Sequence, residues 1–234
     1  MSKEYVKIKD LFKPVLVPIH HEGWSFICLF TIIAFALGLL WAPSLIVSVV
    51  LVVWCIYFFR DPERITKIHP NGVISPADGV VQSIIECDPP ESLKIANKGE
   101  WKRIAIFMNV FDVHVNRMPV AGKIIEKQYE KGKFLNASMD KASHENERCI
   151  LNIESDHGEQ IIVVQIAGLI ARRILCWAKL NTPLKFGERF GMIRFGSRVD
   201  VYVPHHATIM VVEKQHMIAG ETLIALLEEK PKQP

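Results

Sequence analysis

Residues 24–59, WSFICLFTIIAFALGLLWAPSLIVSVVLVVWCIYFF, form a run of 36 residues without a charge. One membrane-spanning helix needs about 20 apolar residues to cross a hydrocarbon core of roughly 30 Å, so this run is too long for one helix and suited to two. Pro43, in Ala42-Pro43-Ser44, interrupts it near the middle, and proline does not continue a helix through its interior. The reading is a helical hairpin. Its second arm, residues 44–59, would span about 24 Å at 1.5 Å per residue, which leaves a shallow re-entrant hairpin and a full double crossing both open. Lys3, Lys7, Lys9 and Lys13 precede the run and Arg60, Arg64 and Lys67 follow it, a distribution that keeps both ends on the cytoplasmic side. A cleavable signal peptide has an apolar region of about 7 to 15 residues, so the length argues against one. A buried pair of core helices is the competing reading.

Outside this block the composition is that of a soluble protein. A chain of 234 residues holds one ordinary domain and a smaller appendage, expected here as a membrane-anchoring hairpin over 1–60 and a β-rich domain over 61–234. The formal charge of +3 is too small to argue for nucleic acid, whereas cations beside an apolar anchor suit an anionic membrane surface. The five cysteines, with Cys28 and Cys55 inside the apolar block, show no CxxC or other metal-ligand spacing and read as reduced thiols. His205-His206 follow Pro204 as a surface turn, since adjacent strand residues point to opposite faces and no third ligand is in view; no metal is expected. His20-His21 fall at the expected membrane interface.

After Phe59 short apolar runs alternate with Gly, Pro, Asn and Asp, the pattern of strands and turns. Strands are expected over 80–85, 103–108, 122–129, 149–154, 161–166, 199–203 and 208–212, giving a mostly β domain. One segment departs from this: residues 169–180, LIARRILCWAKL, place Leu169, Arg172, Arg173, Cys176 and Trp177 at helical spacing. This predicts a short amphipathic helix, either packed on the sheet through Ile170, Ile174 and Trp177 or facing lipid. Residues 228–234 read as a polar, frayed tail.

Between two strand-like stretches lies Gly196-Ser197, which taken by itself is a turn. Its surroundings change that reading. GERFGMIRFGSRVDVYVP (187–204) resembles the C-terminal signature of the short bacterial type of phosphatidylserine decarboxylase, and FFRDPER (58–64), SPADG (75–79), NVFDVHVNRMPVAG (109–122), NER (146–148) and IAGLIARRI (166–174) resemble the family's other blocks in the same order. The apolar hairpin is similar to the family's membrane region.

This resemblance implies a hybrid β-sandwich-like catalytic domain and a precursor that cleaves itself between Gly196 and Ser197. Ser197 then becomes a covalent pyruvoyl cofactor, and fragments 1–196 and 197–234 stay together as a heterodimer. The implied activity is decarboxylation of phosphatidylserine to phosphatidylethanolamine through a Schiff base at the cell membrane, with the catalytic domain on the cytoplasmic side; a higher homo-oligomer is compatible with it. The family pattern offers Asp78 and His114 as bases. Taken by themselves, Asp78 reads as a turn residue before Gly79 and His114 as a strand histidine. Longer family members carry a second histidine where this chain has Arg117, and arginine is no base at ordinary pH. Either His114 takes both roles or His144 serves; Arg117 is left to hold the lipid phosphate or carboxylate, and His144 is a candidate for substrate binding beside it.

Two other readings compete. A membrane-anchored, non-enzymatic hybrid-sandwich adaptor has some support from PADG (76–79) and AGETLIAL (219–226), but a lipoyl or biotinyl carrier needs a lysine between methionines at a hairpin tip, and the sequence has none. A pyruvoyl decarboxylase of a soluble amino acid would share the self-cleavage but have little use for residues 24–59.

Overall fold

The computed structural model describes residues 17–93, 95, 101–139, 142–169, 173–194 and 196–228. Lys3, Lys7, Lys9 and Lys13, residues 170–172, Phe195 and the tail beyond 228 lie outside them. The chain divides into two compact units, Met1–Glu63 and Arg64–Pro234.

The first unit is a helical hairpin. Helices α1 (Trp24–Leu40) and α2 (Ser44–Phe58) flank a turn that begins at Trp41, and Pro43 sits just before α2, where its missing N–H costs no helical hydrogen bond. The base is clasped by an antiparallel bridge between Ile19 and Arg60, with His20 N–H donating to Phe59 O at 2.8 Å and Asp61 N–H to Pro18 O at 2.7 Å. The chain therefore enters and leaves the hairpin at one point. His20 is buried there, its Nδ1 accepting the Glu22 N–H at 3.3 Å, and Phe26 stacks on Phe59 with ring centroids 5.4 Å apart. The sides are apolar and exposed, Ile32, Phe35, Ile46 and Val50 among them, a pattern that suggests association with a membrane.

The second unit is β-rich. Its strands are β1 (Gly72–Ile74), β2 (Gly79–Cys87), β3 (Trp101–Met108), β4 (Val115–Arg117), β5 (Gly122–Glu130), β6 (Arg148–Ser155), β7 (Gln160–Ala167), β8 (Ile174–Cys176), β9 (Pro183–Leu184), β10 (Arg189–Ile193), β11 (Ser197–Pro204), β12 (Thr208–Ile209), β13 (His216–Met217) and β14 (Leu223–Leu226). A one-turn helix α3 (Ala142–Glu145) precedes β6. An eight-stranded sheet runs β13-β2-β3-β11-β7-β6-β5-β9, and two three-stranded sheets run β1-β14-β12 and β4-β10-β8. One face of the large sheet contributes Ile104, Ile106, Met108, Val163, Val199 and Val201 to a core completed by Phe190 and Ile193 of β10 and by Ile224 and Ala225 of β14. On the other face Trp101, Ile150, Ile162, Val164, Ile166 and Tyr202 gather with Leu93 and Ala142. Alternation along each long strand feeds these two cores, so the sheet has no fully wet face and the sandwich-like expectation is met.

The amphipathic helix expected over 169–180 is not formed among the described residues of that range: Ile174–Cys176 is strand β8, pairing with Gly191–Ile193. The reason is tertiary. β10 offers a strand edge, and burying Ile174 and Ala178 against it outweighs a helical spacing that three residues of backbone pairing abolish. Leu169 and Trp177 are exposed. The strand expected over 208–212 is shorter, ending at Ile209. All five cysteines are free thiols. His205 and His206 diverge after β11, His205 towards Glu86 at 3.5 Å and His206 towards Glu159 at 3.8 Å.

Candidate active site

β11 is central in the large sheet, so its first residue is held from both sides: Ser197 lies opposite Met108 of β3 and Ala167 of β7. The residues that continue from these strands, Gly168 and the loop from Asn109, therefore surround Gly196. The Ser197 hydroxyl is fully buried and donates to the Met108 Sδ at 3.5 Å. A thioether is a weak acceptor, so this oxygen is shielded from water but not strongly tied.

Gly196 has φ +67°, a left-handed conformation that costs an L-residue with a side chain roughly 1–2 kcal/mol. Its carbonyl oxygen is pressed onto Gly168: a Cβ at 168 would lie 2.2 Å from it. No side chain other than hydrogen fits there. On the other side of the same residue, the Gly196 N–H donates to His114 Nε2 at 3.2 Å. His114 Nδ1 is 2.9 Å from Asp112 O; a carbonyl only accepts, so Nδ1 carries the proton and Nε2 the lone pair. His114 is thus a neutral, fully buried imidazole with its basic nitrogen on the Gly196-Ser197 segment.

Asp78, just before β2, lies at the same end of the sheet, since Val80 pairs with Phe107 next to Met108. Its carboxylate accepts from Arg64 Nη2 at 3.0 and 2.7 Å and from the Ala219 N–H at 2.7 Å. Arg117, on β4, is buried and donates to Gly187 O at 3.1 Å, with its own N–H on Pro76 O at 2.9 Å. His144 is exposed on α3. Its neighbour Ser143 bonds Arg198 and Asp200, and alternation along β11 puts Arg198 and Asp200 on the face opposite Ser197. His114 and Gly196 are brought into contact, then, while α3 and His144 belong to the other side of the sheet.

That other side holds a group the sequence reading did not single out. Arg198, fully buried, donates through Nε to Asp200 Oδ1 at 2.7 Å and through Nη2 to Oδ2 at 2.8 Å, and also to Ser143 Oγ. Arg103 Nη1 reaches the same serine at 3.2 Å. Burial opposes the charge on Arg103, but Asp200 and then Tyr202 hold its pKa above the ordinary value; burial, then Asp200, pushes the Tyr202 phenol up. The signal was present: SRVDVYV sets Arg198 and Asp200 two apart in an apolar strand, on one face and therefore able to pair. On the Ser197 face, Asn116 and Gln165, both fully buried, join through Gln165 Nε2 and Asn116 Oδ1 at 2.8 Å.

A left-handed glycine, a carbonyl seated where no side chain fits, a buried hydroxyl and a lone-pair nitrogen meet at one peptide bond. The family model described as phosphatidylserine decarboxylase matches residues 51–225. The match takes in every strand of the large sheet and both residues of this peptide bond, which leaves no room for the adaptor reading: the chain belongs to the phosphatidylserine decarboxylase family and is a decarboxylase.

Proposed function

We infer that the chain is made as a precursor that cleaves itself at Gly196-Ser197 and then decarboxylates phosphatidylserine with the group left at position 197. The observation that carries this reading is Gly196 itself, gripped at its N–H by His114 and at its oxygen by Gly168. Glycine leaves the Gly196 carbonyl carbon open to attack from the side of the Ser197 hydroxyl. In the cleavage, Ser197 Oγ loses its proton to a base and bonds to the Gly196 carbon; the C–N bond breaks, and the peptide becomes an ester with a free amine on residue 197. His114 is the base proposed for that proton: its Nε2 lone pair lies one residue away and becomes free when the Gly196 N–H that it accepts is released. Loss of the Ser197 α-proton then expels the ester oxygen, giving a Gly196 carboxylate and a dehydroalanine. One water adds to the imine form of that residue, ammonia departs, and a pyruvoyl group remains.

The surroundings fit such a group: Met108, which Ser197 Oγ touches, and the Asn116 and Gln165 joined beside it include no carboxylate. The pyruvoyl group supplies a ketone that condenses with the substrate amine as a Schiff base and a conjugated carbonyl that accepts the electrons freed as carbon dioxide leaves. Asp78, fixed by Arg64 and Ala219, is proposed as a positioning carboxylate at the same sheet end. Arg117 is proposed to act through Gly187 and the signature strand after it, its buried guanidinium being better placed for that than for a lipid head group. His144 is left out of the reaction, since it belongs to the opposite face. The hairpin is proposed to hold the enzyme at the membrane that contains its substrate, with Arg60, Arg64 and Lys67 keeping the catalytic unit on the cytoplasmic side.

Intact-mass measurement of the full chain beside Ser197→Ala tests the reading. Wild type should yield fragments 1–196 and 197–234, the second with a ketone-reactive, blocked N-terminus, and Ser197→Ala should stay whole. A folded wild type that remains one chain in detergent overturns it.

A further inference from the structure

We propose that the side-chain amide of Asn116 is the hydrogen-bond donor to the ketone oxygen formed at position 197, and that Gln165 fixes the orientation of that amide; this rests on the self-cleavage reading above. Four buried groups carry the inference. Asn116 Nδ2 lies 3.9 Å from Met108 Sδ and 3.5 Å from Pro76 O. Ser197 Oγ lies 3.5 Å from the same sulfur. Gln165 Nε2 donates to Asn116 Oδ1 at 2.8 Å, and Gln165 Oε1 is buried with no hydrogen-bond partner.

The orientation of the two amides is decided by chemistry. Pro76 O is a backbone carbonyl and can only accept, so the end of Asn116 facing it is Nδ2. Oδ1 must then face Gln165, which must donate, and Gln165 Oε1 is left over. A buried orphan acceptor is unfavourable, and its retention here marks a pair kept for its direction rather than its stability. Space for the pair is built into the signature: a Cβ at Gly191 would lie 2.6 Å from Gln165 Nε2.

The effect of that direction appears only after cleavage. In the precursor Met108 sulfur receives two donors, the Ser197 hydroxyl and an Asn116 N–H. Conversion of residue 197 carries Oγ away with Gly196 and leaves a methyl at Cβ and one new ketone oxygen on Cα; rotation about the Cα–C bond turns that oxygen towards the space the hydroxyl vacates, so the position changes from donor to acceptor. Asn116 Nδ2 then has a stronger acceptor than a thioether in the same dry space. A fixed donor there polarises the ketone without reorganisation.

The test uses the full chain in detergent. Asn116→Leu should still give both fragments, with kcat for phosphatidylserine lowered about a hundred- to a thousand-fold and KM little changed. The ketone carbonyl stretch of the cleaved enzyme should move to higher frequency in the infrared. Should Asn116→Leu fail to fold, Asn116→Leu/Gln165→Leu removes both partners together, a replacement that leaves nothing unpaired between them, and the same shift is expected. A cleaved variant with wild-type kcat and an unmoved carbonyl stretch overturns the assignment. So does a folded variant that stays uncut, because it moves the role of Asn116 to the cleavage step. Failure of the self-cleavage reading is distinguishable, since wild type itself would then show no fragments and no ketone.

Discussion

Two glycines at the proposed cleavage site do different work, and substitution separates them. At Gly196 a Cβ would meet only Val110 Cγ1 at 3.7 Å, an ordinary contact, so the obstacle to a side chain is the backbone angle of +67°. Gly196→Ala should therefore fold with a loss of about 1–2 kcal/mol and still cleave, more slowly. At Gly168 the obstacle is space: a Cβ would overlap the Gly196 oxygen at 2.2 Å, and the carbonyl under attack would have to move. Gly168→Ala should slow the appearance of the 197–234 fragment by more than about a hundredfold, as expected when a reacting atom is displaced by the order of an ångström. The check is a time course of fragment formation by intact mass after synthesis at low temperature, with thermal melts to show that both variants fold. Equal rates in the two variants would remove Gly168 from the mechanism. The role of Gly168 was not legible beforehand. The GS dipeptide could be read, but the partner of its carbonyl is 28 residues away in sequence and is set only by the pairing of Ser197 with Ala167.

The six long strands were legible in the sequence, and of the short ones only β12 was, as a longer strand. β2, β3, β5, β6, β7 and β11 each hold an apolar run bounded by turn residues, and the six form the consecutive run β2-β3-β11-β7-β6-β5 of the large sheet. β4, β8 and β10 are three to five residues long, too short for a period to register, and they form because β10 gains β4 on one edge and β8 on the other. That is why residues 174–176 looked helical and why Asn116, on β4, could not be placed beside Gln165. The element that determines whether the cut chain holds together is β11. It begins at the proposed new N-terminus and pairs along its length with β3, and from Ser197 to Tyr202 with β7, while β12, β13 and β14 of the same fragment pair with one another or with β1 and β2. Cutting before Ser197 removes one covalent link and none of these ladders. The fragments 1–196 and 197–234 should co-elute in size-exclusion chromatography in detergent and separate only under denaturant. Separation under native conditions would show that the cut opens the sheet.

For the whole molecule the question is how deeply the hairpin enters a bilayer. α1 and the turn before it give an apolar stretch of 20 residues, His21–Leu40, long enough to cross, whereas α2 has 15 residues and spans about 22 Å at 1.5 Å per residue. The hydrocarbon core is roughly 30 Å thick. The clasp between Ile19 and Arg60 holds both helices to a common base, so α1 cannot use its extra length independently; the shorter arm sets the depth. Thinning the bilayer by about 8 Å costs a fraction of a kcal/mol for each ångström, and a tip made of Leu39, Leu40 and Trp41, all largely exposed, gains nothing by reaching water. The tip should therefore stop inside the far leaflet. In a chain whose native cysteines are replaced, Ala42→Cys should resist an impermeant maleimide from both sides of sealed vesicles and react once detergent is added, while Lys67→Cys reacts from the side carrying the catalytic unit. Labelling of Ala42→Cys from the opposite side would mean that the bilayer thins to meet the shorter helix and that the hairpin is a double crossing.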